Sequence, residues 1–109
     1  MICDSWEIVV VPFPFTDRVV QKKRPALIVS VKAFNQHGQT LMAMITSSSW
    51  PWPSDRPLRD LASAGLSMPC VVRMKLFTLD NRLIIKQIGK LADEDQERVV
   101  SALKSMLSF

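Results

Sequence analysis

A short basic segment lies directly before a predicted strand and could bind a phosphate. It consists of Lys22, Lys23 and Arg24, and Pro25 follows at the start of the strand. A guanidinium held at a strand end can bind a phosphate through two parallel hydrogen bonds. A solvated basic turn would have the same composition, so residue types alone leave both interpretations open.

Four hydroxyl residues follow one another where another predicted strand ends: Thr46, Ser47, Ser48 and Ser49. Hydroxyl groups that leave a strand together can hydrogen-bond phosphate oxygens. Serines at strand ends also form turns. No Gly-x-Ser-x-Gly sequence is present, so this segment does not indicate a serine hydrolase.

Two tryptophans, Trp50 and Trp52, come next in a loop stiffened by Pro51 and Pro53. Such rings can stack on unpaired bases, because every base has a π-face. They can also anchor a protein partner or cover the core. The sequence leaves these three roles open.

Other candidates for acid–base chemistry have simpler interpretations. A histidine side chain is a common acid or base in catalysis, but His37 stands in a turn before Gly38, and we expect it to be solvated. Asp93 and Asp95 stand at the start of a predicted helix, where the helix dipole favours negative charge. We therefore do not interpret them as a catalytic pair.

No metal and no cofactor are expected, because the chain has one histidine and no Cys-x-x-Cys pair. Cys3 and Cys70 are expected to be reduced thiols, since no secretory signal is recognised at residues 1–7 and disulfides are rare in reducing compartments. We therefore expect a cytoplasmic protein. No apolar run reaches the roughly 18 residues that a membrane helix needs, so no membrane contact is expected.

With 109 residues, the chain is predicted to form one domain, residues 1–109. Its net charge is +4, with basic residues gathered between positions 18 and 32 and acidic residues between 93 and 97. A basic face with a separate acidic end is a weak indication of nucleic-acid binding.

The elements that must position these groups are mostly strands. Runs rich in β-branched and apolar residues predict strands at 6–13, 26–31, 39–46, 68–79 and 82–91, the fourth of them broken near its middle and the last with a bulge or close approach at Gly89. One helical turn is predicted within 58–64, ended by Gly65. A last helix is predicted after Asp93, with Gln96 completing a capping box and apolar residues at 99, 100, 103, 106 and 107. Successive strands without intervening helices favour an antiparallel sheet or small barrel with one terminal helix.

Along nearly its whole length the chain resembles the PemK/MazF toxin family. The most specific stretches are VPFPFTD and RPALIVS. The matching segments are 8–17, 23–30, 45–47, 64–66, 71–73, 76–80 and 88–91. The resemblance implies a mainly β fold with a C-terminal helix, an SH3-like barrel of five to seven short antiparallel strands. It also implies a symmetric homodimer that cleaves single-stranded RNA, and a cognate antitoxin whose tail occupies the RNA groove.

The resemblance also implies roles for single residues. Arg24 matches the family's essential arginine, and Thr46, with Ser47 beside it, matches its strand-end threonine. In the implied reaction, the 2′-hydroxyl of the RNA attacks the adjacent phosphate and leaves a 2′,3′-cyclic phosphate, without a metal. Asp17 is our candidate for removing the proton. The RNA-binding candidates are Arg18, Lys22, Lys23, Trp50, Trp52, Arg73 and Lys75.

Three positions depart from the family pattern. Arg18 stands where some members have a histidine, Lys75 where some have an acid, and Cys70 where many have serine. The first two leave the general base open. Two alternatives therefore remain, a gyrase poison of the CcdB type with the same fold and a barrel that binds nucleic acid or a partner without cleaving.

Overall fold

The computed structural model of the chain describes residues 1–13, 22–48 and 50–109. Within these ranges there are six strands: β1 (Glu7–Pro12), β2 (Lys23–Ile28), β3 (Gln39–Thr46), β4 (Arg56–Pro57), β5 (Val71–Asp80) and β6 (Lys86–Lys90). The helices are α1 (Lys32–Asn35), α2 (Leu61–Ala64) and α3 (Asp93–Met106), and a 3-10 turn spans Asn81–Leu83. No helix within these ranges is long and apolar enough to cross a membrane.

The strands form one antiparallel sheet in the order β4-β5-β3-β2-β1-β6. The long β3 and β5 pair over most of their length, and β1, β2 and β3 are joined in chain order as a meander. This arrangement confirms the predicted mainly β fold, a six-stranded antiparallel half-barrel with a C-terminal helix.

Both faces of the sheet are covered by apolar side chains. One face carries Ile8, Leu27 and Ala43, which pack with Val99 and Ala102 of α3. The opposite face carries a second cluster of buried residues: Cys3, Val9, Val11, Phe13, Ala26, Ile28, Met42, Phe77, Leu79 and Ile84. Because successive strand residues point to opposite faces, strands buried on both sides read as continuous apolar runs, as β1 and β2 do.

The junction between α2 and β6 depends on two glycines. Gly65 ends α2 in the left-handed conformation, with φ of 74°. A Cβ at Gly65 would lie 2.0 Å from the carbonyl oxygen of Ile88, and one at Gly89 would lie 2.3 Å from the carbonyl carbon of Ala64. The two backbones therefore touch directly, which confirms the predicted end of α2 at Gly65 and the predicted close approach at Gly89.

Several predicted strand bounds are wrong by a few residues. β2 begins at Lys23, before Pro25, and ends at Ile28, because α1 follows from Lys32. Pro25 is tolerated within the strand because pairing with β3 begins only at Ala26. β6 starts only at Lys86, after the 3-10 turn. The predicted break in the fourth strand is a bulge, since Arg73 pairs with Met44 and the next pair joins residues 76 and 43.

The predicted capping box of α3 is wrong. The residue before the helix is Ala92, which caps no group with its side chain, and Asp93 is already helical. The side-chain nitrogen of Gln96 donates instead to the carbonyl oxygen of Leu91 at 2.6 Å. Of the predicted apolar stripe, Val99 is buried but Met106 stays 42% exposed.

Candidate functional site

The adjacent ends of β2 and β3 form a cleft of about 240 Å³. It is lined by Arg24, Pro25, Ile45, Thr46 and Ser47 from the strands, and by residues 65–68 and Cys70 from the segment between α2 and β5. The pairing of β2 with β3 ends at Ala26 and Met44, and Arg24 and Thr46 each lie two residues beyond this last pair. The two residues that sequence reasoning placed at one site therefore line one cleft.

Arg24 is held in this cleft by its own strand and by an aromatic ring. Its backbone pairs with Val11 of β1, and its guanidinium carbon lies 5.5 Å from the ring centroid of Phe13. The Nε atom is buried and has no hydrogen-bond partner among the residues that the structure describes. An arginine side chain always carries its charge, so Arg24 brings a permanent cation to the cleft that it lines.

Thr46 offers a hydroxyl proton to the same cleft. The side chain is buried, and its Oγ1 accepts a hydrogen bond from the backbone nitrogen of Ser48 at 3.1 Å. A hydroxyl has one donor and two acceptor positions. Accepting from Ser48 therefore fixes the oxygen while its own proton can point to a ligand. Ser47, next in the chain, is exposed at the cleft.

A second hollow of about 270 Å³ continues past Thr46 and Ser47. It shares Cys70 with the first cleft and is closed by Pro57, Leu58 and Pro69. The two hollows therefore adjoin one another at Thr46, Ser47 and Cys70. An extended chain can occupy two adjoining hollows, whereas a compact ligand would need only one.

Arg73 is used differently from what the sequence suggested. Its Nε and Nη2 donate to the carboxylate of Asp55 at 3.1 and 2.9 Å, and its Nη2 also donates to the carbonyl oxygen of Trp50 at 2.6 Å. Burial alone would raise the pKa of Asp55, but donation from Arg73 and from the Trp52 backbone outweighs it and lowers that pKa. The Arg73 cation is thus neutralised inside the protein. Sequence reasoning missed Asp55, and its only signal was that it is the one acidic residue in the Ser- and Pro-rich segment 47–57.

The remaining candidates fall into three groups. Lys22 and Lys23 are exposed at the start of β2, and Lys75 is half-buried in the bulge of β5. Trp50 is 79% exposed and Trp52 is 38% exposed. Asp17, Arg18 and Ser49 lie outside the described residues.

The structure confirms the predicted placement of His37 and of the two cysteines. His37 is exposed in the turn that precedes β3, whereas Thr46 is the last residue of that strand. Cys3 and Cys70 are free and buried thiols.

Asp95 has a structural role that its sequence position did not reveal. Its buried carboxylate accepts from the backbone nitrogens of Arg59 and Asp60 at 3.0 to 3.2 Å, and from the side chain of Arg98. Burial works against the charge, but these donors outweigh it and lower the pKa of Asp95. This carboxylate joins α3 to residues 59 and 60, which lie directly before α2. The residues that line the cleft, 65–68, follow α2. Within the described ranges, no group of three or more His, Cys, Asp or Glu side chains could hold a metal ion.

Comparison with solved structures places the fold among known toxins. A MazE–MazF complex from Deinococcus radiodurans is 25% identical, with a TM-score of 0.78 and coverage of 97% of this chain and 96% of that one. Mycobacterium tuberculosis toxin MazF-mt6 is 23% identical, with a TM-score of 0.74 and coverage of 91% and 93%. An endoribonuclease in complex with its cognate antitoxin, from a mycobacterial species, is 17% identical, with a TM-score of 0.74 and coverage of 95% and 91%.

Sequence comparison decides the family. No match was found among curated protein sequences. A family model does match residues 4–107, and it describes the PemK-like, MazF-like toxin of type II toxin–antitoxin systems. This match supports the resemblance seen in the sequence and not the CcdB-type alternative. Since the match spans nearly the whole chain, this protein belongs to the PemK-like, MazF-like family of type II toxins.

Proposed function

We propose that this toxin is an endoribonuclease that cleaves single-stranded RNA in the cleft between β2 and β3. The observation that carries the proposal is the pairing of Arg24 and Thr46, a permanent cation and a hydroxyl donor lining one cleft. Family membership supports it, as do similar solved structures that are described as endoribonucleases. Two adjoining hollows at Thr46 suit a substrate that is itself a chain.

The proposed reaction uses the nucleophile of the substrate. The 2′-oxygen attacks the adjacent phosphorus, the bond to the 5′-oxygen breaks, and the products are a 2′,3′-cyclic phosphate and a 5′-hydroxyl. Because DNA lacks the 2′-hydroxyl, it is not cleaved. The protein must stabilise the extra negative charge, align the 2′-oxygen and move two protons.

Charge stabilisation, positioning of the phosphate and removal of the 2′ proton each have a candidate in this chain. Arg24 stabilises the charge on the non-bridging oxygens, and Thr46, with Ser47, positions the phosphate. Arginine keeps its proton at any physiological pH, so the base that takes the 2′ proton must be another group, and Asp17 is our candidate. The exposed Lys22 and Lys23 bind flanking phosphates.

We further propose a homodimer in the cytoplasm that is inhibited by a cognate antitoxin. Solved structures with this fold include a MazE–MazF complex and a complex of an endoribonuclease with its cognate antitoxin. An extended antitoxin tail would satisfy the same donors as the RNA, and a symmetric dimer would join two grooves into one.

The test is cleavage of a long single-stranded RNA by purified protein in EDTA. Arg24→Ala is expected to lower the rate about 100- to 1000-fold, as removal of one preorganised charge contact does. Arg82→Ala is the matched control, because it removes an exposed arginine that pairs with Asp80 at the far end of β5. The cuts should carry cyclic phosphate ends. If the RNA stayed intact while the protein was folded, the proposed cleavage would be refuted, and a toxin that binds without cleaving would be the remaining explanation.

A further inference from the structure

We propose that Arg73 and Asp55 form a clamp that holds Trp50 beside the cleft, where its ring stacks on a base next to the bound phosphate. This rests on the proposed function and deepens it. Arg73 then acts as a positioning residue that does not touch RNA. The clamp determines how tightly single-stranded nucleic acid is bound, while Arg24 and Thr46 perform the chemistry.

The first observation is the burial of the ion pair. The side chains of Arg73 and Asp55 are only 7% and 9% exposed. Charges taken out of water are tolerated only when hydrogen bonds satisfy them, and here Arg73 makes two bonds to the carboxylate and one to a carbonyl. A guanidinium so enclosed is not free to reach a phosphate, but it can fix the loop that surrounds it.

The second observation is how many loop groups meet at this pair. The backbone nitrogen of Trp52 donates to Asp55 at 2.9 Å, and the backbone nitrogen of Asp55 donates to the carbonyl of Trp52 at 3.0 Å. The guanidinium carbon of Arg73 lies 4.8 Å from the ring centroid of Trp52. One face of Trp52 is therefore taken by the clamp, whereas the ring of Trp50 stays open to solvent.

The third observation connects the loop to the cleft. The backbone nitrogen of Trp50 donates to Ser48 Oγ at 3.2 Å, and the backbone nitrogen of Ser48 donates to Thr46 Oγ1 at 3.1 Å. Hydrogen bonds thus run from Thr46 through Ser48 and Trp50 to Arg73. Four residues of chain reach at most about 14 Å, so Trp50 stands within reach of a nucleotide whose phosphate lies at Thr46.

The chemistry around Trp50 favours a base over an apolar protein side chain. The two hollows at Thr46 carry the cation of Arg24 and the hydroxyl groups of Thr46, Ser47, Ser48 and Ser67, which suit a polyanion. An open indole ring adds a stacking surface for any base. Stacking of this kind is tolerant of sequence, so the clamp is expected to affect affinity for single strands in general.

The experiment measures binding of a fluorescent single-stranded oligodeoxynucleotide, which the enzyme would not cleave. Trp50→Ala is expected to weaken binding about 5- to 150-fold, the range for loss of one stacked base, without unfolding an exposed site. Asp55→Asn is the decisive variant. If Arg73 bound nucleic acid directly, removal of its carboxylate partner would tighten binding, whereas the clamp requires that binding weaken.

The matched control is Asp80→Asn. It removes the same charge from an aspartate–arginine pair on the same strand, at the end remote from the cleft. It is expected to leave binding unchanged or slightly tighter. In the Trp50→Ala background, Asp55→Asn should add little further loss, because the two changes remove one contact.

Two results would overturn the inference. The first is unchanged oligonucleotide binding by Trp50→Ala, which is informative even where Asp55→Asn does not fold. If that variant also lost affinity for the antitoxin, the ring would be a protein anchor. The second is tighter binding by Asp55→Asn. Neither depends on cleavage, so an inactive wild-type enzyme would refute the proposed function alone.

Discussion

The three glycines of the chain allow two effects of an added methyl group on stability to be measured separately, namely backbone strain and overpacking. Gly38 has φ of 109° and no atom of the described residues within 4 Å of an added Cβ. Gly89 lacks a positive φ, but its Cβ would lie 2.3 Å from the carbonyl carbon of Ala64. Gly65 has both features, with φ of 74° and a Cβ 2.0 Å from the carbonyl oxygen of Ile88. We therefore predict a graded series for the three substitutions to alanine.

The magnitudes follow from the two costs. A left-handed backbone costs an L-residue about 1 to 2 kcal/mol, and the more unusual φ at Gly38 about 1 to 3 kcal/mol. Overpacking of a rigid site costs about 1 to 3 kcal/mol, or more, and here the obstacle is backbone that no rotamer can move aside. Gly38→Ala should thus lose stability only through backbone strain, and Gly89→Ala only through overpacking. Gly65→Ala should lose both, about 2 to 5 kcal/mol.

Urea unfolding followed by far-UV circular dichroism measures these free energies. The expected result is that Gly65→Ala has the lowest midpoint of the three, with an unchanged slope. It should also have the weakest RNA cleavage, because Gly65 begins the segment that rims the cleft. If Gly65→Ala were no less stable than Gly38→Ala, the direct contact between α2 and β6 would not be rigid, and our account of how the cleft rim is positioned would fail.

Two further predictions concern buried groups. The folded-state pKa of Asp95 is lowered, so its contribution to stability is present above the ordinary pKa and is lost as the pH falls below about 4. Asp95→Asn should therefore cost about 3 to 5 kcal/mol at pH 7 and progressively less in acid, and a difference in urea midpoint that is constant with pH would contradict this. Burial raises the pKa of both Cys3 and Cys70 and lowers their thiolate fractions. A thiol reagent at neutral pH should label neither rapidly in the native protein and both in urea, and fast native labelling of Cys70 would refute its burial.

Sequence patterns identified the sheet well because the strands are buried on both faces. Such strands need continuous runs of β-branched and apolar residues, and residues 39–46 were located without error. The family motifs then selected Arg24 and Thr46, whose shared cleft follows from antiparallel pairing of neighbouring strands. Contacts between residues far apart in the chain were harder to predict.

The contacts missed by the sequence analysis are those between charged groups far apart in the chain. Asp55 and Arg73 are separated by 18 positions, and Asp95 accepts from a backbone nitrogen 36 positions away. Neither separation corresponds to a helix or strand period, so no sequence pattern predicts these contacts. The capping box failed for a related reason, since Gln96 found a carbonyl acceptor at Leu91 that the local pattern does not reveal.

The strand pairing at Arg24 and Thr46 also bears on which changes in sequence such a toxin can accept. Arg24 pairs with Val11 and Thr46 with Val71 in ladders whose side chains alternate, so a single inserted residue in either strand would turn one of them to the opposite face. The loop that follows Thr46 is constrained differently, because its ends are fixed by β3 and β4 and Arg73 holds Trp50 and Asp55. Under the proposed function, a substitution at the exposed Trp50 would therefore change binding while the backbone contact from Ser48 to Thr46 Oγ1 is kept. Binding strength and cleavage chemistry would then be separable traits in this architecture.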